Sequence, residues 1–241
     1  MRTARARCSI IATFVAFAAC ASGPRLDRDA LPDIETYEDE ASVVLRETEH
    51  VELFTARGEP QARSVYRRQI LITSAKGCDD GDYATSYDLE FGHVESAEAT
   101  VHRPDGSTQR YGTSDWSDHP ATSGYSVYDN NRVLVLDLPE LPVGTVVDVQ
   151  ITRVRTRANL LAQRFSFGGW APHLFSEFEV RAPSGWKLEH RTQRMGELID
   201  NPPDFEGTED DMQVLRWRRE HLEPIPWEPH GPGAREQMPL V

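Results

Sequence analysis

The 241-residue chain carries a formal charge of −13, from 39 acidic against 26 basic residues. An acidic balance of that size repels nucleic-acid phosphates and provides no basic stripe for anionic lipid headgroups. Of three cysteines, only Cys78 falls outside the first 20 residues, so a disulfide within the fold and a cysteine-based metal cluster are both excluded.

The amino terminus has the three parts of an export signal. Arg2, Arg5 and Arg7 form a positive region, Ile10 to Ala18 an apolar run, and Ala18-Ala19-Cys20 a small-residue ending. The run is too short to span a bilayer, which takes about 20 residues. Residues 1–19 are therefore expected to be a signal peptide, and Cys20 the site of lipid attachment. Phe17 stands where a lipobox ordinarily has Leu. The alternative is ordinary cleavage nearby, which would release a free secreted protein. Lipidation would place the chain in the cell envelope. Ala21, not Asp, follows the cysteine, which favours the outer membrane in a Gram-negative host.

Residues 20–40 are acidic and proline-punctuated and read as a lipidated tether. From Ala41 the pattern turns to short alternating segments. Val65 to Thr73 puts Tyr66, Ile70 and Ile72 on one face. Ala97, Ala99 and Val101 alternate next. Pro104-Asp105-Gly106-Ser107 then turns the chain, and Thr108 to Tyr111 returns. Leu134, Leu136 and Leu138 precede a Pro139 to Gly144 turn, and Val147, Val149 and Ile151 follow it. Leu174, Phe178 and Val180 share a face, Pro183-Ser184-Gly185 ends that strand, and Trp186, Leu188 and His190 suggest another. Thr192 to Asp200 reads as one short helix, and Leu215 and Trp217 mark a late strand. Many short strands with regular turns predict an all-β, antiparallel two-sheet sandwich over residues 41–228. Residues 229–241 form a proline- and glycine-rich tail.

Candidate chemistry is sparse. Cys78 is followed by Asp79, Asp80 and Asp82, and that negative charge disfavours the reactive thiolate. The same acids lack the spacing and closing glutamate of a calcium loop. None of the eight histidines has a zinc-binding spacing. Phosphate-loop, dinucleotide and serine-hydrolase signatures are absent from the sequence. No metal, cofactor or catalytic residue is therefore expected. Tyr125, Tyr128 and Trp170, in Gly- and Asn-rich surroundings, could line a peptide or glycan surface.

The order of several motifs resembles one bacterial family. They are Val65-Tyr66-Arg67-Arg68-Gln69-Ile70, Val101 to Ser107, and Leu134 to Pro139 with Leu141, Pro142 and Gly144. Phe178-Glu179-Val180-Arg181-Ala182-Pro183-Ser184-Gly185 and Leu215-Arg216-Trp217 continue the likeness. Together they resemble domain-of-unknown-function family 3857, commonly found before a transglutaminase-like domain. The resemblance implies an extracytoplasmic β-sandwich without catalytic residues of its own. It also implies a role as an accessory or interaction domain for a transglutaminase-like protein, here in trans. The alternative is a stand-alone lipoprotein that binds a peptide or cell-wall glycan.

The anchor has a direct check. Intact-mass analysis of the mature protein should find acylated Cys20 as its first residue, and a mature chain starting at Ser22 without acyl mass would remove the anchor.

Overall fold

Side chains alternate across a strand, so a sheet with apolar residues on one face alone must cover that face. In the computed structural model this requirement shapes the whole fold. The structure describes residues 26–121, 130–156, 162–194 and 197–225. Cys20 and the signal segment lie outside them, as do Tyr125 and Tyr128. Residues up to Leu31 form a unit separate from Pro32 onward. In the former, Arg28–Ala30 makes a 3-10 turn capped by Asp27.

The larger unit is built on an eight-stranded sheet. In chain order its strands are β1 (Ser42–Ala56), β2 (Glu59–Ile72), β4 (Gly92–His102), β5 (Thr108–Tyr111), β8 (Val146–Arg155), β9 (His173–Pro183), β12 (Phe205–Glu209) and β13 (Met212–Leu222). They lie side by side in the order β12-β13-β9-β1-β2-β8-β4-β5. A second sheet, β3-β7-β6, is made by β3 (Tyr83–Asp88), β6 (Ser117–Pro120) and β7 (Asn131–Leu136). A small hairpin pairs β10 (Thr192–Arg194) with β11 (Glu197–Ile199).

Local chemistry sets the connections. β1 and β2 are joined by Arg57 and Gly58, both at positive φ, the arrangement whose twist suits a two-residue hairpin. Asp210 and Asp211 do the same between β12 and β13, a conformation that short polar side chains tolerate. One pairing departs from the antiparallel scheme. β1 runs parallel to β9, from Val44 beside His173 to Glu52 beside Arg181. This junction joins the two halves of the large sheet, and parallel neighbours need a long crossover instead of a tight turn.

The covered face carries two apolar clusters. Ile70, Ala99, Val147 and Ile151 of the large sheet pack against Leu134, Leu136 and Trp116, with Tyr83 and Tyr87 at the margin. That half is the expected two-sheet sandwich. In the other half Leu53, Phe178, Leu215 and Trp217 are covered by Phe165 and Phe167, with Trp186, Leu188 and Leu222 packed against them. The Phe165 and Phe178 rings stack at 5.3 Å, and Phe178 and Trp217 at 5.9 Å.

Three local expectations change. Thr192 to Asp200 forms the β10–β11 hairpin in place of a helix. Trp186 to His190 has no strand pairing and crosses the second cluster as an irregular segment. The compact unit begins before Ala41. Asp33 caps a 3-10 turn at Ile34–Tyr37, and Thr73 Oγ1 donates to the Glu40 carbonyl at 2.9 Å. The end of the expected tether is thus tied to the domain, because the strand after it begins inside the sheet. No helix among the described residues is long and apolar enough to cross a membrane.

With Cys78 free and no disulfide among the described residues, stability should track the cores. Ile151→Ala, at a 1% exposed position in the first cluster, should cost about 2–5 kcal/mol. Leu198→Ala, on the exposed β11, should stay within about 0.5 kcal/mol. Equilibrium urea unfolding of the two variants checks both.

Candidate functional site

Among the described residues no layer covers the large sheet's other face, and many of its outward side chains are charged. Glu177 and Glu179, two residues apart on β9, share that face and are each 6% exposed. The register sets Arg218 beside Glu177 and Arg216 beside Glu179 from β13, with His50 beside Glu179 from β1. Each carboxylate then takes two donors. Glu177 meets His50 Nε2 at 2.9 Å and accepts from Arg218 Nε. Glu179 accepts from Arg181 Nε at 2.7 Å and from Arg216 Nε. Glu209 on β12 closes the cluster by accepting from Arg181 at 2.8 Å and Arg216 at 3.3 Å.

His50, Glu177, Glu179, Arg181, Arg216 and Arg218 line a groove of about 470 Å³ that continues to Glu52 and Arg63. Arg63 Nε donates to Glu95 at 2.8 Å, where β4 bulges. Further along the face, Arg67 forks onto Asp148. The face therefore offers both signs of charge in fixed rows. Burial would raise the Glu179 pKa. The Arg181 and Arg216 hydrogen bonds outweigh that and hold the carboxyl below its ordinary 4.5.

A polar seam also crosses the covered face between the two apolar clusters. Tyr66 donates to Glu47 Oε1 at 2.6 Å, and His173 Nε2 lies 3.1 Å from Glu47 Oε2. His173 Nδ1 lies 2.9 Å from the Ala171 carbonyl. Burial acts to raise Glu47, but His173 and then Tyr66 bring it below its usual value. Burial, then Tyr83 and Glu47, drive the Tyr66 phenol well above its usual value. Arg153 donates to Glu49 at 2.8 Å and to Thr85 of the small sheet at 3.4 Å. The seam thus binds layer to layer and strand to strand.

The residues singled out from sequence fare unevenly. Trp170 is 52% exposed, on the segment leading into β9. Tyr125 and Tyr128 lie outside the described residues, so the three-aromatic surface is not assembled here. Cys78 is unpaired, and its thiol is pushed up by partial burial and then by Asp79. The acids after it have structural partners. Asp80 accepts from Ser42 at 2.5 Å, and Asp82 accepts from the Leu138 amide at 2.7 Å. Among the described residues no group of three metal-ligating side chains comes together. The charged face was missed from sequence, although Glu177, Glu179 and Arg181 repeat with period two, the signal of one strand face.

The profile of the DUF3857 family, a domain of unknown function, matches residues 61–226. The chain belongs to this family. Among solved structures, a "putative protease" from Parabacteroides distasonis superposes with a TM-score of 0.65 at 14% identity. The match covers 83% of this chain and 40% of that one. An M1 zinc metallopeptidase from Deinococcus radiodurans covers the same 83%, and 42% of its own length, at 13% identity and a TM-score of 0.38. At those identities the first likeness concerns the fold alone, and the second is too distant to carry an argument. The chain spans less than half the length of these solved proteins. No curated protein matches it.

The carboxylate clamps predict acid sensitivity. Groups held below their unfolded pKa stabilise the fold above that value, near 4.5 for glutamate, and lose the contribution as pH falls through the folded value. Glu179→Gln should lower stability at pH 7 by about 1–3 kcal/mol. It should also flatten the loss of stability on acidification below about pH 4.5. Urea midpoints measured across that range, wild type against variant, check the sign.

Proposed function

We propose that this chain is a non-catalytic, lipid-anchored envelope module that docks a transglutaminase-like or peptidase partner through the open face of its large sheet. The observation that carries the reading is that uncovered face. Sheets usually bury at least one side, and this one keeps its second side charged, ordered and free of any covering layer among the described residues. Fixed rows of both charge signs select a partner by complementarity and steer its approach more than they add raw affinity. The buried clamps hold the rows in place, while Glu52 and Arg63 at the groove margin are exposed to contact.

Two further observations support the reading. The Parabacteroides structure, described as a protease, contains this fold in 40% of its length, which suits an accessory domain beside an active one. The groups that resemble catalytic machinery already have partners. Tyr66 and His173 both bond Glu47, and the Cys78 thiol is pushed away from its reactive form. Attachment through Cys20 would keep the module at the membrane where its partner works.

Photo-crosslinking in intact envelopes tests the reading. A crosslinker at Glu52 should capture a protein carrying a Cys-His-Asp constellation. The reversed-charge variant Glu52→Arg/Arg63→Glu should reduce capture at least about fivefold while keeping its fold by circular dichroism. Capture of no protein, or capture untouched by the reversal, would reject the docking face. Peptide hydrolysis or crosslinking by the purified chain, abolished in Cys78→Ala, would reject a non-catalytic role.

A further inference from the structure

The register of the large sheet gathers one set of strand ends. Leu222 of β13 lies beside His173 of β9, His173 beside Val44 of β1, and Val43 beside Leu71 of β2. Leu71 and His102 of β4 both lie beside Val146, where β8 begins. The chain enters the larger unit at this end, because Ile34–Tyr37 and Glu40 lead directly into β1.

Two apolar side chains stand exposed there. Trp170, three residues ahead of β9, is 52% exposed, and Val143, three residues ahead of β8, is 42% exposed. Both are held by backbone hydrogen bonds. The Ile225 amide donates to the Gly169 carbonyl at 2.8 Å, and the Val44 amide to the Pro172 carbonyl at 2.9 Å. The Gly144 amide donates to the Ile72 carbonyl at 2.8 Å. Pro142 and Pro104 are exposed beside Val143, and Pro104 and Ile34 pack against Gly144. A tryptophan fixed in this way suits a membrane–water interface, where its ring meets apolar surface and its N–H meets headgroups.

The length of chain before the domain says which surface lies near. Pro32 comes 12 positions after Cys20, a reach of about 40 Å when fully extended. With Cys20 acylated, the strand ends by which the chain enters are the part of the domain held nearest the bilayer.

We propose that this end of the sheet faces the bilayer, with Trp170 and Val143 seated among the headgroups of a zwitterionic leaflet. The proposal rests on the reading of Cys20 as the lipid anchor. Glu35, Glu38 and Asp39 are exposed at the same end, so a leaflet rich in anionic lipid repels it. The strands then rise from the membrane, and the open face stays free for its partner.

Tryptophan emission from the mature lipoprotein in phosphatidylcholine vesicles tests this, with and without bromine near the headgroup end of the acyl chains. Bromine quenches tryptophan on contact. Bromination should dim the wild type by up to about one-fifth, Trp170 being one of five tryptophans, and Trp170→Phe by far less. Leu89 is exposed at the opposite end, just ahead of Gly92, which pairs with Arg155 where β8 ends. Leu89→Trp added to Trp170→Phe should therefore restore no dimming. Replacing phosphatidylcholine with phosphatidylglycerol should lessen the dimming of the wild type. Equal dimming of wild type and Trp170→Phe, dimming through Leu89→Trp, or dimming that grows with phosphatidylglycerol would overturn the proposal. Flotation reads the anchor separately. A chain that does not float with the vesicles lacks the anchor, and the proposal falls with it. A chain that floats with Trp170 undimmed keeps the anchor and rejects the membrane-facing end alone.

Discussion

Everything in this fold depends on the parallel junction of β1 and β9. Strands on one side, β2, β8, β4 and β5, and on the other, β13 and β12, are held together through it. Parallel neighbours cannot be stapled by a tight turn, and Cys78 is unpaired. Side chains crossing the junction therefore take a larger share of the task. His50 meets Glu177 across it on the open face, and Glu47 meets His173 across it at the other side. A carboxylate removed from water is costly unless several donors surround it. Glu177, Glu179 and Glu47 each have two or more partners.

That arrangement separates the two faces by purpose. Apolar burial supplies the free energy on one side, divided into two clusters by the Glu47–Tyr66–Arg153 seam. On the other side the charges satisfy one another, and the face is ordered with no covering layer among the described residues. Rows of clamped side chains need little further ordering, which is what the proposed docking role asks of this face.

In the first cluster β2, β4, β7 and β8 were legible in the sequence because their burial follows period two, whereas β3 and β6 were not. Ala97, Ala99 and Val101 alternate, as do Val147, Val149 and Ile151, and all six are buried. β1 was not, although it is the longest strand at 15 residues. Its inward positions include Glu47 and Glu49, so polarity stops marking the faces where the seam crosses it. Thr192 to Asp200 read as helical because a three-residue strand is too short to display a period. Trp186 and Leu188 look alternating, yet they are apolar because they cover the second cluster, not because they pair. The charged groove was hidden for another reason. His50, Glu177 and Arg216 are far apart in sequence, and only the strand register brings them onto one surface.

Under the proposed function the open face is the working surface in the envelope. Carbodiimide labelling of surface carboxylates, performed on intact envelopes and on the purified chain and read by mass spectrometry, tests it most directly. Glu52 and Glu95 are exposed in the isolated fold, where Glu95 pairs with Arg63. Docking through the open face should leave both protected in envelopes and labelled after purification, while Glu189 on the covered side changes little. Equal labelling of Glu52 and Glu95 in the two states would contradict it.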